Sequence, residues 1–248
     1  MFLVAIAELH GPIDAALAPL SADVGTTPYE LRLVVNAGLP AVVLATVDEA
    51  KARAAYAAIV RHRHIPALLD RRSVVSSSAM TELDRFELTP TGVTSGGHVP
   101  AELPFGDLGA LIRAMHRGTT TTTEVVKERK LRPIMAAATG GMVLSKKVSR
   151  EVTRHEEQRD QVLYLFRRSG APPWILRERG AIYTGLGKDL GPTAFANFQT
   201  TIRLLRERAP SAAYDERLMS GRPIRGVADG SDAIDLLAYL VAAHAMAG

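Results

Sequence analysis

The sequence predicts an α+β protein of two modules, and three observations carry that prediction. Apolar segments run strand–helix–strand–helix–strand over about the first 80 residues. Beyond them the chain turns to short β-prone runs punctuated by glycine and proline, and one amphipathic stretch near residues 193–205 follows those runs. Composition sets the frame. With 248 residues, 47% hydrophobic and 23% charged, the chain has the make-up of a globular protein long enough for a sizeable core. Aromatics are only 5%, so that core draws mostly on Ala, Leu and Val.

The elements follow in order. Leu3 to Ala7 is a short apolar strand. Thr26 and Thr27 offer a cap before Pro28, which suits the first helical position, and Leu31, Val34 and Val35 keep helical spacing up to a stop at Gly38. Pro40 to Ala45 is a strand by its β-branched run. Asp48 caps a long helix through Ala50, Ala54, Ala57 and Val60, whose basic end at Arg61, His62, Arg63 and His64 complements the helix dipole. Ile65 to Leu69 is the third strand. Ser73 to Ser78 reads as a linker, so the first module is residues 1–78.

A β-rich module over 79–210 comes next. Leu83 to Leu88 alternates as a strand does, and Gly92, Gly96 and Gly97 mark turns. Leu103 to Ile112 fits either a strand or a helix capped by Asp107. Thr119 to Val126 is β-prone, Val143 to Val152 is its return strand, and together they define a hairpin over 119–155. Val162 to Phe166 and Trp174 to Arg177 are further strands. A helix capped near Thr193 presents Phe195, Phe198, Ile202 and Leu205 on one face. Residues 211–248 are a Gly/Pro-broken connector to about 230 and then an Ala/Leu helix capped by Ser231 and Asp232.

The β-α-β-α-β order of residues 1–78 resembles a ferredoxin-like or ribosomal-stalk-like α/β module. The run of strands closed by the Phe195/Phe198 helix resembles a pleckstrin-homology-like (PH-like) antiparallel barrel or sheet. That second resemblance implies a barrel end plugged by the final helix; the hairpin at 119–155 is longer than typical loops of the family.

Local signatures of chemistry are missing. The chain has no cysteine, which excludes disulfides, thiolate zinc sites, iron–sulfur ligation and cysteine nucleophiles and fits a cytoplasmic location. Gly185-Leu186-Gly187 and Gly191 do not keep the dinucleotide-loop spacing, and Thr139-Gly140-Gly141 lacks the end of a phosphate loop. Of seven histidines only His62 and His64 are close, and two residues apart on a helix they face different ways. His155-Glu156-Glu157 lacks the second histidine of a zinc-protease helix, and Ser145 beside Lys146 has the wrong geometry for a serine–lysine pair. The expectation is therefore no catalytic constellation, no cofactor and no metal. The N-terminus lacks the pattern of a secretory signal, and the apolar tail from Leu236 falls short of the ~18 residues that span a bilayer.

Charge is the informative feature. Between Arg117 and Asp160 stand ten Lys/Arg and six Asp/Glu, which accounts for the whole formal excess of +4. Lys127, Arg129, Lys130 and Arg132 precede an apolar tip containing Ile134, Met135, Met142 and Val143; Lys146, Lys147 and Arg150 follow it. Basic flanks around an apolar tip suit an acidic protein partner or an anionic membrane surface. Nucleic acid is disfavoured, because no aromatic residue is present for stacking and Glu124, Glu128 and Glu151 would repel a phosphate backbone. The leading expectation is a non-enzymatic adaptor or scaffold that binds a protein through this hairpin. The alternatives are an enzyme whose site draws on His98, His116, His155, Glu178 or Asp189 between the modules, and a protein that self-assembles through strand edges or its last helix.

Overall fold

The computed structural model describes residues 1–96, 100–130, 146–220 and 230–247, with side chains at all of these except 16–17, 117–130, 146–158 and 230–231. It has the α+β class expected. The chain forms two compact units, one made of residues 1–117 with 159–248 and one of residues 118–158.

In the first unit, β1 (Phe2–Glu8), α1 (Ile13–Val24), α2 (Pro28–Asn36), β2 (Ala41–Thr46), α3 (Glu49–Arg61) and β3 (Ile65–Asp70) build a three-stranded antiparallel sheet of order β2-β1-β3. Local chemistry places the helices. Thr27 and Glu30 close a reciprocal capping box at the start of α2, and the Asp48 carboxylate accepts from the N–H groups of Ala50 and Lys51 at the start of α3. Leu3 to Ala7 is buried without a break because β1 is covered on both sides. Val4 and Ile6 meet Leu20, Leu31 and Ile59 of the three helices, while Leu3, Ala5 and Ala7 face the opposite layer.

Beyond β3 come β4 (Thr81–Glu82), β5 (Arg85–Leu88), β6 (Gly92–Ser95), β7 (Glu102–Pro104), β8 (Leu108–Lys130), β9 (Lys146–Arg167), β10 (Trp174–Arg177) and β11 (Ile182–Gly185). They are followed by α4 (Ala194–Arg208), β12 (Ala213–Leu218) and α5 (Gly230–Ala245). The sheets have orders β12-β8-β9-β10-β4 and β11-β5-β6-β7. Val162 to Phe166 is buried on both faces of its sheet. Val162, Tyr164 and Phe166 pack toward α5, and Leu163 and Leu165 pack with Trp174, Leu176, the smaller sheet and α4. Helix α5 thus lies between the N-terminal sheet and the five-stranded sheet, in contact with β1, β3 and β12. Among the described residues no helix is long and apolar enough to cross a membrane.

Several expectations need correction. The larger sheets are mixed where a PH-like antiparallel one was expected: β4 runs parallel to β10, β12 to β8 and β11 to β5. Residues 13–24 form a helix that the sequence pattern did not announce. The two β-prone stretches of the hairpin are continuous with the strands beside them, giving β8 and β9 of 23 and 22 residues. Asp107 caps no helix; its carboxylate accepts from Arg167 Nε at 2.8 Å and from the Ser169 N–H at 2.8 Å, fastening the end of β9. Residues 213–218 of the expected connector are an edge strand. Phe195 is 52% exposed, whereas Phe198, Ile202 and Leu205 are buried. It sits in the first turn, about 100° around the helix from the centre of the buried stripe. The segment 73–78 is no free linker: the Ser77 N–H donates to Asp235 Oδ2 at 2.8 Å and the Val75 N–H to the Tyr239 hydroxyl at 3.1 Å.

Because α5 serves two sheets at once, Leu240→Ala should cost about 2–5 kcal/mol. Urea unfolding followed by Trp174 fluorescence and by far-ultraviolet circular dichroism should give coincident transitions. Separate transitions would show that the N-terminal sheet folds on its own.

Candidate functional site

The residues chosen from charge divide between two strands. Lys127, Arg129 and Lys130 belong to β8, and Lys146, Lys147 and Arg150 to β9, which neighbour each other in the sheet order. Arg132, Ile134, Met135, Met142 and Val143 lie outside the described residues, as does His98. The second unit, 118–158, holds eight Lys/Arg against five Asp/Glu, so 41 residues carry three of the four formal positive charges.

A buried polar network was not foreseen as a unit. His116 on β8, Tyr164 on β9 and Asp235 on α5 are exposed by 6%, 0% and 1%. The Tyr164 hydroxyl donates to Asp235 Oδ1 at 2.6 Å. With its one proton so engaged, it accepts from His116 Nε2 at 2.5 Å, which assigns the Nε2–H tautomer to a neutral His116. The second Asp235 oxygen takes the Ser77 N–H. Burial drives the pKa of His116 down from 6.5 to about 4, against the opposing pull of Asp235 and with help from Arg177. Burial likewise raises Tyr164 well above the ordinary tyrosine value, with Asp235 adding to the effect. A neutral, sealed imidazole bonded to a neutral phenol has no open position for a substrate. This arrangement fastens strands to helix.

Two clefts open on the first unit, the smaller of them against Asp235. One of about 190 Å³ is lined by Arg71, Val74, Ser76, Asp232, Asp235 and Leu236. The other, about 650 Å³, has walls from Arg53 and Tyr56 of α3, from Ile65 to Leu68 of β3, and from Ala243, His244 and Ala247 at the end of the chain. His116, Glu178 and Asp189 line neither. His62 pairs with Asp23 at 2.9 Å, while His64 Nδ1 accepts from the His10 N–H at 3.2 Å, so the two histidines do face apart. Among the described residues no three His, Asp or Glu side chains gather to hold a metal ion. Gly185 and Gly187 form a tight turn after β11, and a Cβ on Gly185 would collide with the Phe86 carbonyl oxygen.

Compared with protein-family models, with curated proteins and with solved structures, the chain shows no match.

The three members of the network were legible only singly. Asp235 is an acid inside the apolar run Ile234 to Leu237, and His116 ends an apolar strand, but nothing in the sequence pairs them. Tyr164→Phe should cost about 1–3 kcal/mol in chemical denaturation, because it leaves Asp235 and His116 short of a partner. Acid should also weaken the fold early. The folded value of His116 lies below its free value, so the unfolded chain binds more protons between about pH 4 and 6.5, and stability falls as pH drops through that window. His64, lowered by burial and by His62 and His10, acts in the same direction. His116→Gln should flatten the slope of stability against pH there; an unchanged slope would remove His116 from the account.

Proposed function

We propose that the protein is a non-enzymatic binding protein that docks an acidic protein surface through residues 118–158. The observation that carries this reading is the coincidence of a structural division with a charge division. The unit 118–158 is separate in its contacts and holds most of the formal excess, while the first unit is nearly balanced, with 22 Lys/Arg and 21 Asp/Glu. A basic element of this kind speeds encounter with an acidic partner and selects against basic ones. Support also comes from what surrounds His116. His116 and Tyr164 are buried and engaged in packing, which favours binding over catalysis.

Replacing Lys127, Arg129, Lys130, Lys146, Lys147 and Arg150 with Ser should abolish the salt-sensitive capture of protein partners from nuclease-treated lysate. It should leave the thermal transition of the first unit in place. Capture unchanged by the six substitutions removes the assignment. Binding of the parent chain to phosphatidylserine vesicles, with no protein captured at low salt, would give the element to a membrane surface instead.

A further inference from the structure

The strand β3 ends the order β2-β1-β3, and its bonding phase can be read from the register. The Arg71 N–H donates to the Met1 carbonyl at 2.8 Å, and Leu69 and Ala67 stand opposite Leu3 and Ala5. Backbone groups alternate along a strand, so residues 67, 69 and 71 turn theirs toward β1, and Pro66, Leu68 and Asp70 turn theirs away. Pro66 has no N–H to offer, as suits an outward position on an edge. The Asp70 carbonyl accepts from Ser73 Oγ at 2.7 Å. The Pro66 carbonyl and both the N–H and the carbonyl of Leu68 remain, and no hydrogen bond among the described residues occupies them.

These groups line the 650 Å³ cleft, whose size falls in the range of ligand sites. Helix α3 supplies one wall and the end of α5 the other, so the edge lies at the floor of a slot. Of the basic side chains in its walls, His244 lies 3.4 Å from the Glu8 carboxylate, which leaves Arg53 as the group that can meet an acid. Arg53 gives Nε and Nη2 to Glu49, with its side chain 70% exposed, and Nη1 stays open. A second copy of the chain would bring an edge recessed between its own α3 and α5, so two such edges could not reach each other.

We propose that this slot takes an extended segment of a partner protein as a fourth strand on β3, apolar at alternate positions and acidic where it passes Arg53. Main-chain bonds to Pro66 and Leu68 hold the segment, and the flanking helices read its side chains in alternation. The assignment stands independently of the reading of residues 118–158.

The test is a phage-displayed library of random heptapeptides panned against the full chain, with enriched peptides measured by fluorescence anisotropy. Enrichment of alternating apolar and acidic residues is expected. Leu68→Pro should weaken binding at least about tenfold, because it deletes an outward N–H and leaves the ladder to β1 intact. Ala247→Trp fills the slot from the other wall without touching the strand and should give the same loss, so a folding defect in the first variant would not hide the answer. Overturning results are the lack of an alternating consensus, enriched peptides that both variants retain, or light scattering that shows a dimer dispersed by Leu68→Pro.

Discussion

A helix that is apolar on every side must be covered on every side, and the fold is arranged around that requirement at α5. Leu236, Leu237, Ala238, Leu240, Val241 and Ala242 are all at most 5% exposed, which one sheet could not achieve. The N-terminal sheet and the five-stranded sheet supply the two surfaces, and each gains a covered face in return. Residues Leu3 to Ala7 of β1 are buried for this reason: α1 to α3 cover one side of them and α5 the other. The last described helix therefore completes a core begun by the first strand.

Apolar packing alone would leave α5 free to slide. The Asp235 carboxylate removes that freedom, because its two oxygens engage Tyr164 on β9 and the backbone of Ser77 at once. A shift by one helical turn, about 5.4 Å, would strand the acid, the phenol and the imidazole together in apolar surroundings. Each would then carry the cost of an unpaired buried polar group. The network need not add net stability to perform this task; it makes the wrong registers costly. The same bonds hold segment 73–78 against the helix, so a stretch with the composition of a linker is an ordered part of the core.

What could be read from the sequence depended on whether the signal was local. The capping pairs at Thr27 and Asp48 and the short apolar strands of the N-terminal sheet were legible because caps and periodicity act within a few residues. Helix α1 was not, since it follows Pro12, has no side-chain cap and contains Pro19. Phe195 was placed inside because a spacing of three and four residues cannot tell the rim of a stripe from its centre. Strand direction in the mixed sheets was beyond reach, because β4 pairs with β10 across some 90 residues. The candidate sites divide in the same way. The basic residues of 118–158 stood out by composition, whereas the His116 network and the β3 slot exist only once distant segments are brought together.

The two proposed surfaces would draw on different physics, and that difference bears on how the protein could be used. Binding through residues 118–158 would rely on charge, which acts over roughly 8–10 Å at moderate ionic strength and fades as salt rises. A segment in the β3 slot would rely on backbone bonds in a recess of the nearly balanced first unit, and there only the contact with Arg53 would be sensitive to salt. Charge speeds encounter and selects partners by sign; an edge strand set between two helices selects a segment by the pattern of its side chains. On these two proposals one chain would meet its partners by charge and sort their segments by shape.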